Sequence, residues 1–388
     1  MSLDFDSARL ANPHFTEEHD AWRGALRRFI DTEIMPFADE WDEAGAIPSE
    51  LWPKAAEVGL LGLGYPEQFG GTSADSWHSW IVNEELSRVG VGGISASLMV
   101  HGIGLPPVIN WGPEWMQAEV APPVLNGEKW ISLGITEPGG GSDVANLSTT
   151  AVRDGDHFVV SGSKTYITGG MRANWVSTAV RTGGSGAGGV SMLLIPTDAE
   201  GFSRTPLDRK MGWWASDTAT LYFDEVRVPV ANLIGAENEG FRVIMTNFNS
   251  ERMGMAAAME AYGRVCLEEA VAWATERKTF GKRLADHQVI RHKIAQMKQQ
   301  LNATQAYIRF CYESIEAGTP NPGDIALLKV QASEVMEFCA REAMQILGGL
   351  GYMRGNRVER IYREVRVNAI GGGSEEIMRD LATRQYGL

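Results

Sequence analysis

The chain carries Ile135-Thr136-Glu137-Pro138-Gly139-Gly140-Gly141-Ser142-Asp143 and, about twenty residues further on, Lys164-Thr165-Tyr166-Ile167-Thr168-Gly169-Gly170. Three successive glycines open backbone angles that other residues avoid and free N–H groups to converge on one acceptor. Thr136, Ser142 and Thr168 add hydroxyl donors. Donors of this sort suit a polar, planar ring system such as a flavin. A phosphate loop would need Gly-Lys-Ser/Thr after the glycines, and none follows. A dinucleotide turn would need a helix there. Instead Ser148-Thr149-Thr150-Ala151-Val152 reads as strand, so Gly139 to Gly141 do not form a Rossmann turn.

These residues need a frame, and composition bounds it. At 388 residues, the chain suggests two or three domains. It is 44% apolar and 22% charged, an ordinary globular balance. A formal charge of −14 argues against broad binding to nucleic acid or anionic membranes. Cys266, Cys311 and Cys339 are too scattered for a disulfide framework or a zinc site, and a reducing, cytoplasmic compartment fits them. The seven histidines show no metal-ligand spacing, so no metal is expected. Asp4 and Asp6 interrupt any signal-peptide pattern, no apolar run approaches membrane-spanning length, and Tyr386-Gly387-Leu388 is no targeting tail.

Three zones follow from patterning, giving an α+β multidomain fold. Residues 1–129 form an N-terminal all-α domain. Thr16 can cap a run with Trp22, Leu26, Phe29 and Ile30 at helical spacing, and Asp75 can open another through Trp77, Trp80, Ile81 and Leu86. A helix over 94–101 would offer Leu98 and Met99. Residues 130–236 form a middle β-barrel or sandwich. Here 152–160 reads as strand, Asp154-Gly155 turn, strand, with further strands over 191–196 and 219–223. Trp213 and Trp214 fit either a pocket wall or the β core. Residues 237–388 form a C-terminal four-helix bundle. No proline occurs between Pro229 and Pro320, so long helices are expected over 238–276 and 286–317, then 323–347, 356–366 and 375–385, the last capped by Ser374.

This order of zones resembles the acyl-CoA dehydrogenase family. Separated motifs carry the resemblance: the two above, Lys210-Met211-Gly212, Phe223 to Pro229, Arg277-Lys278-Thr279-Phe280-Gly281-Lys282, and Gln345-Ile346-Leu347-Gly348-Gly349-Leu350-Gly351-Tyr352. It implies a homotetramer, a dimer of dimers, with one FAD per subunit. The family removes the pro-R α-proton of an acyl-CoA thioester, passes a hydride from Cβ to flavin N5, and releases electrons to an electron-transfer flavoprotein. Residue by residue, it places Leu133, Ile135, Thr136, Gly141, Ser142, Tyr166 and Thr168 around the flavin. Tyr166 stands where the family often has Trp, and still offers a stacking face. Arg277, Phe280, Gln288, Gln345, Gly348 and Gly349 fall at the pyrophosphate and adenosine end, across a subunit interface. Gly348 is equally where a helix would end. Ser374 and Glu376 fall at further FAD contacts. Ser142, Asn249, Arg252, Gly372 and Gly373 fall at the thioester substrate.

One departure decides the mechanism. Many family members carry the catalytic glutamate at the position of Gly372, and glycine cannot take a proton. A subset, including the isovaleryl and long-chain types, places it directly before the active-site arginine instead. Ser250-Glu251-Arg252-Met253 has that pattern, so Glu251 is the expected base. In a water-poor cleft its pKa would rise toward the working pH. Gly372 keeps the backbone N–H that polarises the thioester carbonyl. A flavin-dependent acyl-CoA oxidase or monooxygenase is the alternative on this scaffold, and a non-catalytic flavin scaffold a third reading.

Overall fold

The computed structural model describes residues 3–388. Eight helices come first: α1 (Glu17–Glu33), α2 (Ala38–Ala44), α3 (Leu51–Glu57), α4 (Ser76–Ser87), α5 (Gly92–Leu98), α6 (His101–Gly104), α7 (Pro106–Trp111) and α8 (Glu114–Leu125). Thr16 occupies the N-cap of α1 and Asp75 that of α4, where its side chain accepts from the His78 N–H. The helix expected over 94–101 ends at Leu98; the chain breaks and restarts at His101. Leu98 is buried in the N-terminal core, with Met99 packed partly against it.

Eight strands follow: β1 (Ile131–Gly134), β2 (Thr150–Asp154), β3 (His157–Thr168), β4 (Trp175–Arg181), β5 (Val190–Pro196), β6 (Phe202–Pro206), β7 (Thr218–Pro229) and β8 (Leu233–Ile234). They form one sheet in the order β6-β7-β3-β2-β4-β5-β8, with β1 added in parallel to β4. β2 starts at Thr150 rather than Ser148, because the Ser148 and Thr149 N–H groups both donate to the Glu137 carboxylate. Asp154 pairs with His157 across the β2–β3 hairpin, so the two-residue tip is Gly155-Asp156, one position later than expected. Gly155 takes the positive φ that this turn requires.

The bundle comprises α9 (Gly240–Glu276), α10 (Gln288–Glu316), α11 (Pro322–Leu347) and α12 (Arg357–Ile370), with α13 (Glu375–Gln385) laid on α11. Small residues let α9 and its neighbours approach closely: a Cβ on Gly263 would stand 2.7 Å from Leu301 Cδ2. The N-terminal helices are fastened to the bundle by charge. Glu84 of α4 accepts from Arg9, from Arg23 of α1 and from Arg264 of α9, all but Arg9 being buried.

Candidate active site

α12 ends at Gly371, and Gly372 (φ 67°) and Gly373 (φ 105°) reverse the chain before α13 begins behind Ser374. That turn lies against the middle of α9. A Cβ on Gly372 would stand 2.8 Å from Met255 Sδ and 3.9 Å from Glu251 Oε1. So a carboxylate on α9 reaches the space where a side chain at 372 would begin. Glu251 and Met255 are one helical turn apart, on the same face. Arg252 Nε donates to the Gly372 carbonyl at 3.2 Å, and its Nη1 to Asn249 Oδ1 at 3.2 Å. The guanidinium also lies over the Phe248 ring, 5.4 Å from its centroid. Burial raises the Glu251 carboxyl above the usual glutamate range, opposed by the charges of Arg252 and Lys329. Glu251, Arg252, Asn249, Gly372 and Gly373 therefore meet in one place. The Gly372 N–H donates to no acceptor among the described residues.

The glycine loop is built on a second buried network. Glu137, 5% exposed, accepts from the N–H and Oγ of Ser148 (both 2.6 Å), the Thr149 N–H (2.9 Å) and Lys164 Nζ (2.7 Å). Lys164 is fully buried and also donates to the Ile135 carbonyl at 3.1 Å. Burial would raise the Glu137 carboxyl, but the charge and bond of Lys164 and the two Ser148 donors outweigh it and hold it down at about 2. Burial lowers the Lys164 ammonium to about 8, against the pull of Glu137. The Thr165 N–H donates to the Thr136 carbonyl at 2.8 Å, so the loop is tied to β3.

One residue further, β3 carries a bulge against β7 between Lys164 and Ile167. Tyr166 sits on it at φ 60° and 71% exposed. A large aromatic held in a left-handed conformation and turned outward is a strained arrangement of the kind that recurs at ligand sites. Thr136, Ser142 and Thr168 have hydroxyls with no protein partner among the described residues, and nothing lies within 4 Å of a Cβ on Gly139 or Gly140. Leu133 and Ile135 pack into the core behind Thr136. Free donors, open glycines and an aromatic face fit a flavin ring.

The remaining expected cofactor contacts, apart from Ser374 and Glu376 beside the turn, lie elsewhere. Arg277, Gln288, Gln345, Gly348, Gly349 and Glu376 are exposed, and Phe280 is 96% exposed. Glu251 and Glu276 are 25 residues apart on α9, about 38 Å at helical rise. Ser374 is the N-cap of α13, but its hydroxyl makes no capping bond. Trp213 and Trp214 lie outside the β core, and Trp214 lines a surface cavity with Lys210 and Arg354. The Trp213 N–H donates to Glu364 of α12 at 3.1 Å, and Trp214 is stacked between Arg354 (4.3 Å) and Arg363 (4.0 Å).

Two side chains and one cluster went unread in the sequence. Met255 and Lys329 signal nothing by spacing, although a lone lysine in the apolar run Ile325 to Val330 is a burial anomaly. His19, Asp75 and His78 are brought within 4.8 Å of one another despite their sequence separation. Chemistry argues against a metal there. His19 Nδ1 accepts from the Thr16 N–H at 3.1 Å, which leaves its proton on Nε2, donated to Asp75.

The chain is matched over residues 16–128 by the family model for the acyl-CoA dehydrogenase N-terminal domain, over 132–226 by the middle domain and over 238–387 by the C-terminal domain. It belongs to the acyl-CoA dehydrogenase family and is an enzyme of that class. An acyl-CoA dehydrogenase, AFT10-1, of Alternaria alternata is 37% identical over 97% of this chain and 93% of its own. The crystal structure of acyl-CoA dehydrogenase from Geobacillus kaustophilus superposes with a TM-score of 0.94 at 34% identity, covering 97% and 100% of the two chains. A glutaryl-CoA dehydrogenase from Mycobacterium smegmatis, solved in complex with FADH2, gives 0.90 at 25% identity over 96% and 95%.

Proposed function

We propose that this chain dehydrogenates an acyl-CoA thioester between Cα and Cβ, giving the 2-enoyl-CoA, with Glu251 as the general base and FAD as cofactor. The observation that carries the reading is the 3.9 Å between Glu251 Oε1 and the Cβ position of residue 372. A thioester seated there has its α-proton toward Glu251 and its carbonyl oxygen toward the free Gly372 N–H. That N–H stabilises the charge developing on oxygen as the proton leaves. The elevated carboxyl suits a base that must take a weakly acidic proton. Arg252 fixes the Gly372 carbonyl and thereby the direction of the neighbouring peptide groups, and Asn249 holds Arg252. Bound FAD supplies the acceptor for the β-hydride.

Leu133, Ile135, Thr136, Gly141, Ser142, Tyr166 and Thr168 would hold the flavin ring, with Ser374 and Glu376 beside the turn. Arg277, Phe280, Gln288, Gln345, Gly348 and Gly349 would hold the other end of the cofactor of a neighbouring copy. Their exposure, with Arg277 at the far end of α9 from Glu251, supports a site completed across an interface, and the reading takes the assembly as a homotetramer, a dimer of dimers. The division at 129/130 and 236/237, an electron-transfer flavoprotein as acceptor and a cytoplasmic location belong to the same reading. No single helix is long and apolar enough to cross a membrane among the described residues.

The test mixes the flavin-loaded protein anaerobically with straight, branched and aromatic acyl-CoA thioesters. Bleaching of the flavin with formation of 2-enoyl-CoA is expected with at least one of them, and little peroxide when air is admitted. Failure of every thioester to bleach the flavin, or peroxide equal to product, would overturn the reading.

A further inference from the structure

Lys329 stands in the N-terminal third of α11 and is fully buried. Burial of an ammonium is costly unless it is hydrogen-bonded. Its partners are two main-chain carbonyls: Gly373 O at 2.8 Å and Ala369 O at 3.1 Å. These bracket the glycine turn. Arg252 takes the carbonyl between them, that of Gly372. Three carbonyls of one short turn are thus drawn to two cations, one from α9 and one from α11. The Gly371 N–H is used inside α12, bonded to the Val367 carbonyl at 2.7 Å. The Gly372 and Gly373 N–H groups have no acceptor among the described residues.

We propose that Lys329 is a positioning residue of the reaction: its ammonium ties the carbonyls of Ala369 and Gly373 into the bundle and so holds the Gly372 N–H toward the thioester carbonyl. The reading deepens the site proposed above and rests on the thioester lying against Gly372. Without the tie, two glycines with positive φ have wide freedom, and a loosely held donor contributes little. The charged groups facing Lys329 are Glu251 and Arg252 from α9 and Glu375 and Glu376 from α13. Burial lowers its own ionisation to about 8, and its charge in turn favours the ionised form of Glu251. Loss of that charge leaves the base harder to ionise.

Lys329→Met keeps the volume and removes the ammonium. Made as the FAD holoenzyme, it is expected to reduce its flavin 10- to 100-fold more slowly with acyl-CoA, with KM changed less than threefold. The acid limb of its pH profile is expected to move to higher pH. The decisive reading is the infrared carbonyl band of bound 2-enoyl-CoA. A shift to lower frequency is expected in the wild type and in Glu251→Gln, and its loss in Lys329→Met. Propylammonium added to Lys329→Ala should restore part of the rate, and tetramethylammonium, which has no N–H, should not. A wild-type rate and an unchanged carbonyl band in Lys329→Met would overturn the proposal. Failure of both variants to fold with bound flavin would also overturn it, leaving Lys329 a stability residue. Because the band is read in Glu251→Gln as well, an error in assigning the base is told apart from an error here.

Discussion

At position 372 a side chain is disfavoured by two independent constraints. The backbone is left-handed at φ 67°, and a Cβ would press on Met255 Sδ at 2.8 Å. Met255 thus occupies the space that a larger residue at 372 would need, and walls one side of the Glu251 carboxylate. Gly372→Ala is expected to lose about 1–3 kcal/mol of stability from overpacking and backbone strain, read by thermal unfolding. Its turnover should fall as the turn shifts. The pH dependence follows from the direction of the Glu251 shift. A base works only when ionised, and burial raises its pKa above the ordinary glutamate value of 4.5. Flavin reduction should therefore be slow at low pH and rise with pH through an apparent pKa above 4.5, measured by rapid mixing with a saturating thioester. That Glu251 would lie beside the turn at 372 was legible through the resemblance, from glycine at 372 and a glutamate directly before Arg252. Met255 and Lys329 were not. Which residues face the turn depends on where the end of α12 meets α9 and α11, and no local pattern encodes that crossing.

At the level of elements, the ring-facing loop depends on one buried pair. Glu137 and Lys164 lie in different segments, and the carboxylate also gathers Ser148 and Thr149. Breaking a buried pair leaves an uncompensated charge at a cost of about 3–5 kcal/mol. Glu137→Gln should destabilise on that scale and release flavin, read by thermal unfolding and by flavin-to-protein absorbance. The folded-state pKa of about 2 lies below the ordinary glutamate value. This contribution is therefore complete above about pH 4.5 and is lost as pH falls toward 2. The sequence placed both residues in the right motifs but assigned neither a structural task, since pairing required β3 to lie beside the loop. The long helices were legible because 37, 29 and 26 residues run without an internal break. β4 and β6 were not. β4 is buried at every position but its last, so it lacks the alternation that marks a half-exposed strand. β6 is short and mostly exposed.

Over the whole molecule, the expected cofactor contacts divide into one set on the glycine loop, β3 and the turn after α12, and a second set around the C-terminal ends of α9 and α11 and the start of α10. The first set runs from the buried Ile135 to Tyr166, which is 71% exposed; the residues from Arg277 to Gly349 that the resemblance places on the cofactor are all exposed. Arg277→Ala should leave the Glu251 side intact and weaken FAD retention by a charge-assisted, bidentate contact, roughly tenfold or more. Equilibrium dialysis checks this, with sedimentation showing whether the assembly persists. The zones, their order and the separate origin of the two sets could be read from motifs in sequence. Their separation in space could not, because it follows from the uninterrupted length of α9.

The central claim is that the carboxylate of Glu251 takes the α-proton. It is tested most directly by anaerobic rapid mixing of acyl-CoA with the wild type and with Glu251→Gln, each loaded with equal flavin. The account expects a fall in the flavin reduction rate of about 10²–10⁴-fold, with substrate still bound. Reduction by Glu251→Gln within a few-fold of the wild-type rate would contradict it.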